Sequence, residues 1–76
     1  MDINEFVSNF ADQFDDTDAS AFAPETNFRE LDEWSSLIAL SIIAMIDEEY
    51  DVTLKGDDIK NANTIADLFA AVEAKL

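Results

Sequence analysis

Few residues in this chain could do chemistry, and Ser36 is the one best placed to have chemistry done to it. It precedes Leu37 at the start of a long apolar run, which closes on Asp47-Glu48-Glu49-Tyr50. A serine hydroxyl becomes a useful nucleophile when a neighbouring base, usually histidine, takes its proton and a third group orients that base. The 76 residues include no histidine and no cysteine, which excludes the familiar triads. Acid–base work by paired carboxylates is formally open among 18 acidic residues. Nothing in their spacing marks a pair, and a solvated acidic face is the plainer reading. The chain is therefore expected not to be an enzyme, and Ser36 reads as a residue modified by another protein. Serine is also among the commonest helix N-caps, and Trp34-Ser35-Ser36-Leu37 offers two candidates for that ordinary role.

The same composition narrows the ligands. An EF-hand loop begun at Asp16 would need glycine at its sixth position and glutamate at its twelfth, where Ala21 and Asn27 stand. With no thiolate site either, no metal is expected. Nucleic acid requires a basic stripe, and the four bases Arg29, Lys55, Lys60 and Lys75 are scattered in a chain of net charge −14. An anionic membrane surface would repel the chain for the same reason. A basic protein surface is the natural complement, and the charge argues for a monomer. No run approaches the ~20 apolar residues that span a bilayer. Met1 to Glu5 lacks the basic and apolar regions of a signal peptide, so a cytoplasmic location is expected.

The elements that must position Ser36 follow from periodicity. Ile3, Phe6, Val7, Phe10, Ala11 and Phe14 share one helical face. Asp2 is placed to cap that helix, Glu5 to complete a capping box, and Asp15-Asp16 to end it. Residues 15–35 show no sustained period; Pro24 interrupts them, and Phe22, Phe28 and Leu31 are anchors for a packed loop. A short helical turn is predicted at Phe28 to Leu31. The second helix runs from Ser36 to Tyr50, and its N-terminal half carries no charge. Beyond it, Asp51 to Leu54 reads as extended, Gly56 as a turn and Asp57-Asp58-Ile59 as one helical turn. Thr64 caps a last helix whose buried face is Ile65, Leu68, Phe69, Val72 and Leu76. The 49% hydrophobic content, with six phenylalanines, supports a packed core. The predicted fold is all-α: one domain over residues 1–76, a small four-helix bundle of three main helices plus a short one, with a long first loop.

Phe28 to Tyr50, Val52 to Leu54, Asp57-Asp58-Ile59 and Thr64 to Leu68, taken in order, resemble the acyl carrier protein family. That family's hallmark is Asp-Ser-Leu at the start of its second helix, an aliphatic stretch, and a Glu-Glu-Phe/Tyr-like end. Here Ser36-Leu37 is followed at similar spacing by Glu48-Glu49-Tyr50-Asp51-Val52. The resemblance covers nearly the whole chain. It implies that Ser36 carries 4′-phosphopantetheine, installed from coenzyme A by a phosphopantetheinyl transferase. The arm would hold acyl groups as thioesters and present them to acyl-loading and acyl-transferring enzymes of fatty-acid or specialised lipid and polyketide-type biosynthesis. Ile42, Ile46, Leu54, Ile59, Ala62, Ile65, Leu68 and Phe69 suit a bundle core, and the resemblance suggests that this core could part to shelter an acyl chain. The cargo itself is not encoded in these residues.

The departures bear on partners. Ser35 stands where the family most often has aspartate, and Ile38 and Ser41 replace residues that are acidic in many fatty-acid carriers. Leu37, Ile38, Leu40 and Ser41 thus form the expected docking patch, with Asp47 and Glu48, and also Asp32 and Glu33, left to steer a basic partner. This start of the helix suggests docking by burial, less sensitive to salt than docking by charge, and a dedicated pathway. Two alternatives fit the same residues. One is an aminoacyl or peptidyl carrier. The other is an unmodified acidic interaction domain docking through the start of the second helix. A chain this short and this acidic is expected to repel itself. Its melting temperature should rise from low to moderate salt, as thermal unfolding at several ionic strengths would show.

Overall fold

The computed structural model describes residues 2–76, and its order is set by four capped helices. Helix α1 spans Ile3–Ala11, α2 Ser36–Tyr50, α3 Gly56–Lys60 and α4 Ile65–Glu73. Among the described residues there are no strands, only an isolated antiparallel bridge between Asn27 and Thr64. The architecture is the small helical bundle expected of the sequence. No helix among these residues is long and apolar enough to cross a membrane.

Helix α1 is capped by Asp2, whose carboxylate accepts from the Asn4 N–H at 2.9 Å. The bond goes to the second residue of the helix and not the third, and among the described residues no return bond from Glu5 to the Asp2 N–H completes the expected box. The helix also ends earlier than its apolar period suggests. From Ala11 the chain tightens, with Gln13 N–H bonding Phe10 O and Phe14 N–H bonding Ala11 O. Phe14 keeps its place in the core through these three-residue turns, and not through a further helical turn.

The connection from 15 to 35 is packed by its own aromatic residues. It holds two 3₁₀ turns, Ala19–Ala21 and Phe28–Glu30, capped by the side chains of Asp18 and Asn27. Phe22 and Phe28 are buried, with Leu31 half-buried beside them. The ring centroids of Phe28 and Phe10 lie 5.6 Å apart, those of Phe28 and Trp34 4.7 Å, and those of Phe14 and Phe22 4.9 Å. Spacings of this kind favour aromatic pairs beyond the burial of their area. A second cluster joins Phe6 to Phe69 and Tyr50. There Asn9 donates its side-chain N–H to the Tyr50 hydroxyl at 3.0 Å, tying α1 to the end of α2.

Helix α2 stops at Asp51, whose backbone enters the left-handed region at φ 56°, a conformation that aspartate tolerates better than most residues. The expected extended stretch is therefore bent at its first residue. Val52 and Leu54 then enter the core. Gly56 opens α3, where the sequence suggested a turn. At α4 the expected cap is complete: Thr64 Oγ1 accepts from Asp67 N–H, and Asp67 Oδ2 accepts from the Thr64 N–H in return, both at 3.1 Å. Leu76 lies beyond the end of this helix and is 69% exposed, so it does not extend the buried face. Phe28→Ala is expected to cost ~3–5 kcal/mol, most of what so small a fold has. Leu76→Ala should stay within ~0.5 kcal/mol, and denaturant unfolding of the two variants checks both values.

Candidate functional site

Two serines at the start of α2 have different duties. Ser35 is the N-cap: its backbone is extended, and its Oγ accepts from the Ile38 N–H at 3.2 Å. Its carbonyl accepts the first helical bond, from Ala39 N–H at 3.0 Å. Ser36 is then the first residue of the helix, exposed and without a capping duty. The N–H groups of Ser36 and Leu37 precede Ala39, the first residue whose N–H donates to a helical carbonyl, so they face outward with the positive end of the helix dipole. A phosphate carried by the Ser36 side chain would meet N–H donors and a favourable dipole there. The hydroxyl has no histidine or thiolate near it to activate it, because the chain contains neither.

The residues leading into the helix are held from both sides. Trp34 packs on Phe28 and, at 6.5 Å between centroids, on Phe14. Glu33 reaches back across the loop to accept from Asp15 N–H at 2.8 Å, Asp16 N–H at 3.0 Å and Thr17 Oγ1 at 2.7 Å. The Thr17 hydroxyl, followed by the Asp15 N–H, holds the Glu33 carboxyl below its ordinary range. Glu33 thus closes the loop through these bonds, and the lowered pKa keeps its negative charge beside the head of α2. No local signal marked this role, since its partners lie 16 to 18 residues away.

The expected docking residues divide along α2. Leu37 and Leu40 are 72% and 63% exposed, with Ala44 exposed on the next turn. Asp47 and Glu48 are exposed at the far end. Ile38 and Ser41 are half-buried, and Ile38 packs against the core. The face beside Ser36 is therefore apolar, and it turns acidic about 15 Å further along the helix. The proposed pocket residues all come together. Ile42, Ile46, Leu54, Ile59, Ala62, Ile65, Leu68 and Phe69 are buried in one continuous core. The packing leaves no cavity among the described residues.

A comparison with protein families matches residues 4–72 to the phosphopantetheine attachment site family. The chain belongs to that family. Its members are carrier domains that bind 4′-phosphopantetheine covalently, and they are not catalysts. No curated protein and no solved structure matches the chain. The exposed Ser36 at the head of α2, relieved of capping by Ser35, fits a group attached in this way.

Two outcomes test the local geometry. Ser35→Ala should lower stability by ~1 kcal/mol through loss of the cap. For Glu33 the sign follows from its lowered folded pKa. The stability it contributes is present above its unfolded value of about 4.3 and is lost as pH falls through the folded value. In moderate salt, the melting-temperature gap between wild type and Glu33→Gln should be full near neutral pH and close as pH drops below about 4.

Proposed function

We propose that this chain is an acyl carrier protein whose 4′-phosphopantetheine arm is attached to Ser36. The observation that carries the reading is the division of labour at the head of α2, in a chain of the phosphopantetheine attachment family. When bound, the arm supplies a thiol on a flexible tether. The protein's own residues do the rest. Ser36 offers its hydroxyl on the surface, to be activated by the transferase and not by this chain. The N–H groups of Ser36 and Leu37 and the helix dipole favour the negative charge of the phosphodiester.

Leu37 and Leu40 give partner enzymes an apolar seat next to the arm, while Asp47 and Glu48 meet basic groups further along the same helix. The partners that fit are a phosphopantetheinyl transferase and acyl-loading and acyl-transferring enzymes of fatty-acid or specialised lipid and polyketide-type biosynthesis. Their docking surfaces would be apolar near the attachment point and basic beyond it. The buried residues Ile42, Ile46, Leu54, Ile59, Ala62, Ile65, Leu68 and Phe69 supply the apolar lining that a sheltered acyl chain would need. On this reading the chain works with its partners in the cytoplasm.

Intact mass after incubation with coenzyme A, magnesium and a broad-specificity phosphopantetheinyl transferase tests the assignment. Wild type and Ser35→Ala should each gain one phosphopantetheine, and Ser36→Ala none. Addition to Ser36→Ala would move the site elsewhere. Protein recovered unmodified from its native host, together with no addition in vitro, would defeat the carrier reading.

A further inference from the structure

Arg29 is one of four basic residues in a chain with 18 acidic ones, yet its guanidinium is directed at backbone carbonyls. Its Nε donates to Ala62 O at 3.0 Å, and one terminal nitrogen donates to Ile59 O at 2.8 Å and also to Lys60 O. These carbonyls lie at the C-terminal end of α3 and in the link to α4. The helix is five residues long, too short to hold itself in water. Of these carbonyls Ile59 O also accepts from the Ala62 N–H at 3.2 Å, a turn bond beyond the helix, and a cation at this end complements the negative end of the dipole.

The other ties on α3 are weak or local. Asp58 accepts from the N–H of Lys55, three residues before it, and the Lys75–Asp58 pair stands at 4.0 Å near the surface. Burial of Ile59 and Ala62 is what α3 and its link give the core. The adjoining segment is sewn to the start of α4 by Ile65 N–H to Thr26 O at 3.1 Å and Ala66 N–H to Pro24 O at 2.8 Å. Residues 24–29 are thus bound to α4 by their backbone, and to the end of α3 through the Arg29 side chain.

We propose that Arg29 is the latch of α3, holding Ile59 and Ala62 closed over the core and setting how readily the bundle opens along that helix. Three carbonyls met by one planar fork require arginine; a lysine ammonium in its place keeps the charge but not the geometry. The consequence for cargo, that an acyl chain enters the core only when this latch yields, rests on the carrier reading. The latch itself does not.

Amide hydrogen exchange on the unmodified protein tests the latch, for wild type, Arg29→Gln and Arg29→Lys. Exchange at Lys60, Asn61 and Ala62 should accelerate at least about tenfold in Arg29→Gln, the size expected when charge-assisted hydrogen bonds are lost. Amides in the middle of α1, α2 and α4 should change by about twofold or less. Arg29→Lys, the milder change if Arg29→Gln folds poorly, should fall nearer to Arg29→Gln than to wild type. Unchanged exchange at these three amides, an equal acceleration in every helix, or full protection in Arg29→Lys would overturn the proposal. Because no arm is present, none of these outcomes bears on whether Ser36 is the attachment site.

Discussion

Phe28 and Arg29 are neighbours in one 3₁₀ turn, and between them they connect most of the bundle. The Phe28 ring is buried against Phe10 of α1 and against Trp34, which leads into α2. Arg29 bonds the end of α3, and the bridge at Asn27 joins the same segment to Thr64 at the head of α4. A connection of about twenty residues carries a large ordering cost, on the order of 1–2 kcal/mol per residue. Only burial and hydrogen bonds concentrated at a few points can offset it. The placement of Ser36 depends on this turn, since Trp34 packs on Phe28 just before the serine pair.

Electrostatics in this fold takes an uncommon form. With few cations available, carboxylates find backbone N–H groups. Asp2, Asp18, Asp58 and Asp67 each accept at the start of a helix or turn, and Glu33 accepts from successive residues of the loop. The Thr64 and Asn63 N–H groups hold the Asp67 carboxyl below its ordinary range, and the Ser20 N–H does the same for Asp18. Arg29 is the counterpart, a cation set on carbonyls at a helix C-terminus. The bundle is thus organised by charges paired with backbone dipoles, in place of charges paired with each other. Screening by salt then weakens long-range repulsion among the acids more than it weakens these short contacts.

What could be read from the sequence was what short-range rules govern. The bounds of α2 and the cap of α4 follow from serine and threonine before an apolar period, and both are observed as expected. The helical turn at Phe28 and the burial of Phe22 and Phe28 were also legible, because isolated aromatic residues in a polar stretch have few other uses. Two of the errors share one cause. Phe14 and Leu76 continue an apolar period in the sequence, but periodicity does not report where backbone hydrogen bonding stops. The duties of Glu33 and Arg29 were illegible for a different reason, since their partners lie between 16 and 33 residues away and are mostly backbone atoms that any sequence supplies.

The serine at position 35 is the departure that most needs a physical account, since the related carriers most often have aspartate there. A cap residue must turn its oxygen back onto the N–H of the helix's third residue. A residue to be modified must leave its oxygen free and exposed. One side chain cannot do both, so two consecutive residues are needed, the first to cap and the second to be presented. Ser35 caps through its hydroxyl as an aspartate would through its carboxylate, at 3.2 Å from the Ile38 N–H. The substitution keeps the geometry that exposes Ser36 and removes a negative charge next to it. Ile38 and Ser41 remove two more on the following turns. The charge taken from the head of α2 is balanced by exposed leucines at 37 and 40, while the acids at 47 and 48 remain at its far end. The missing aspartate therefore does not weaken the carrier assignment. It belongs to a wider replacement of charged by apolar or neutral side chains along the first turns of this helix.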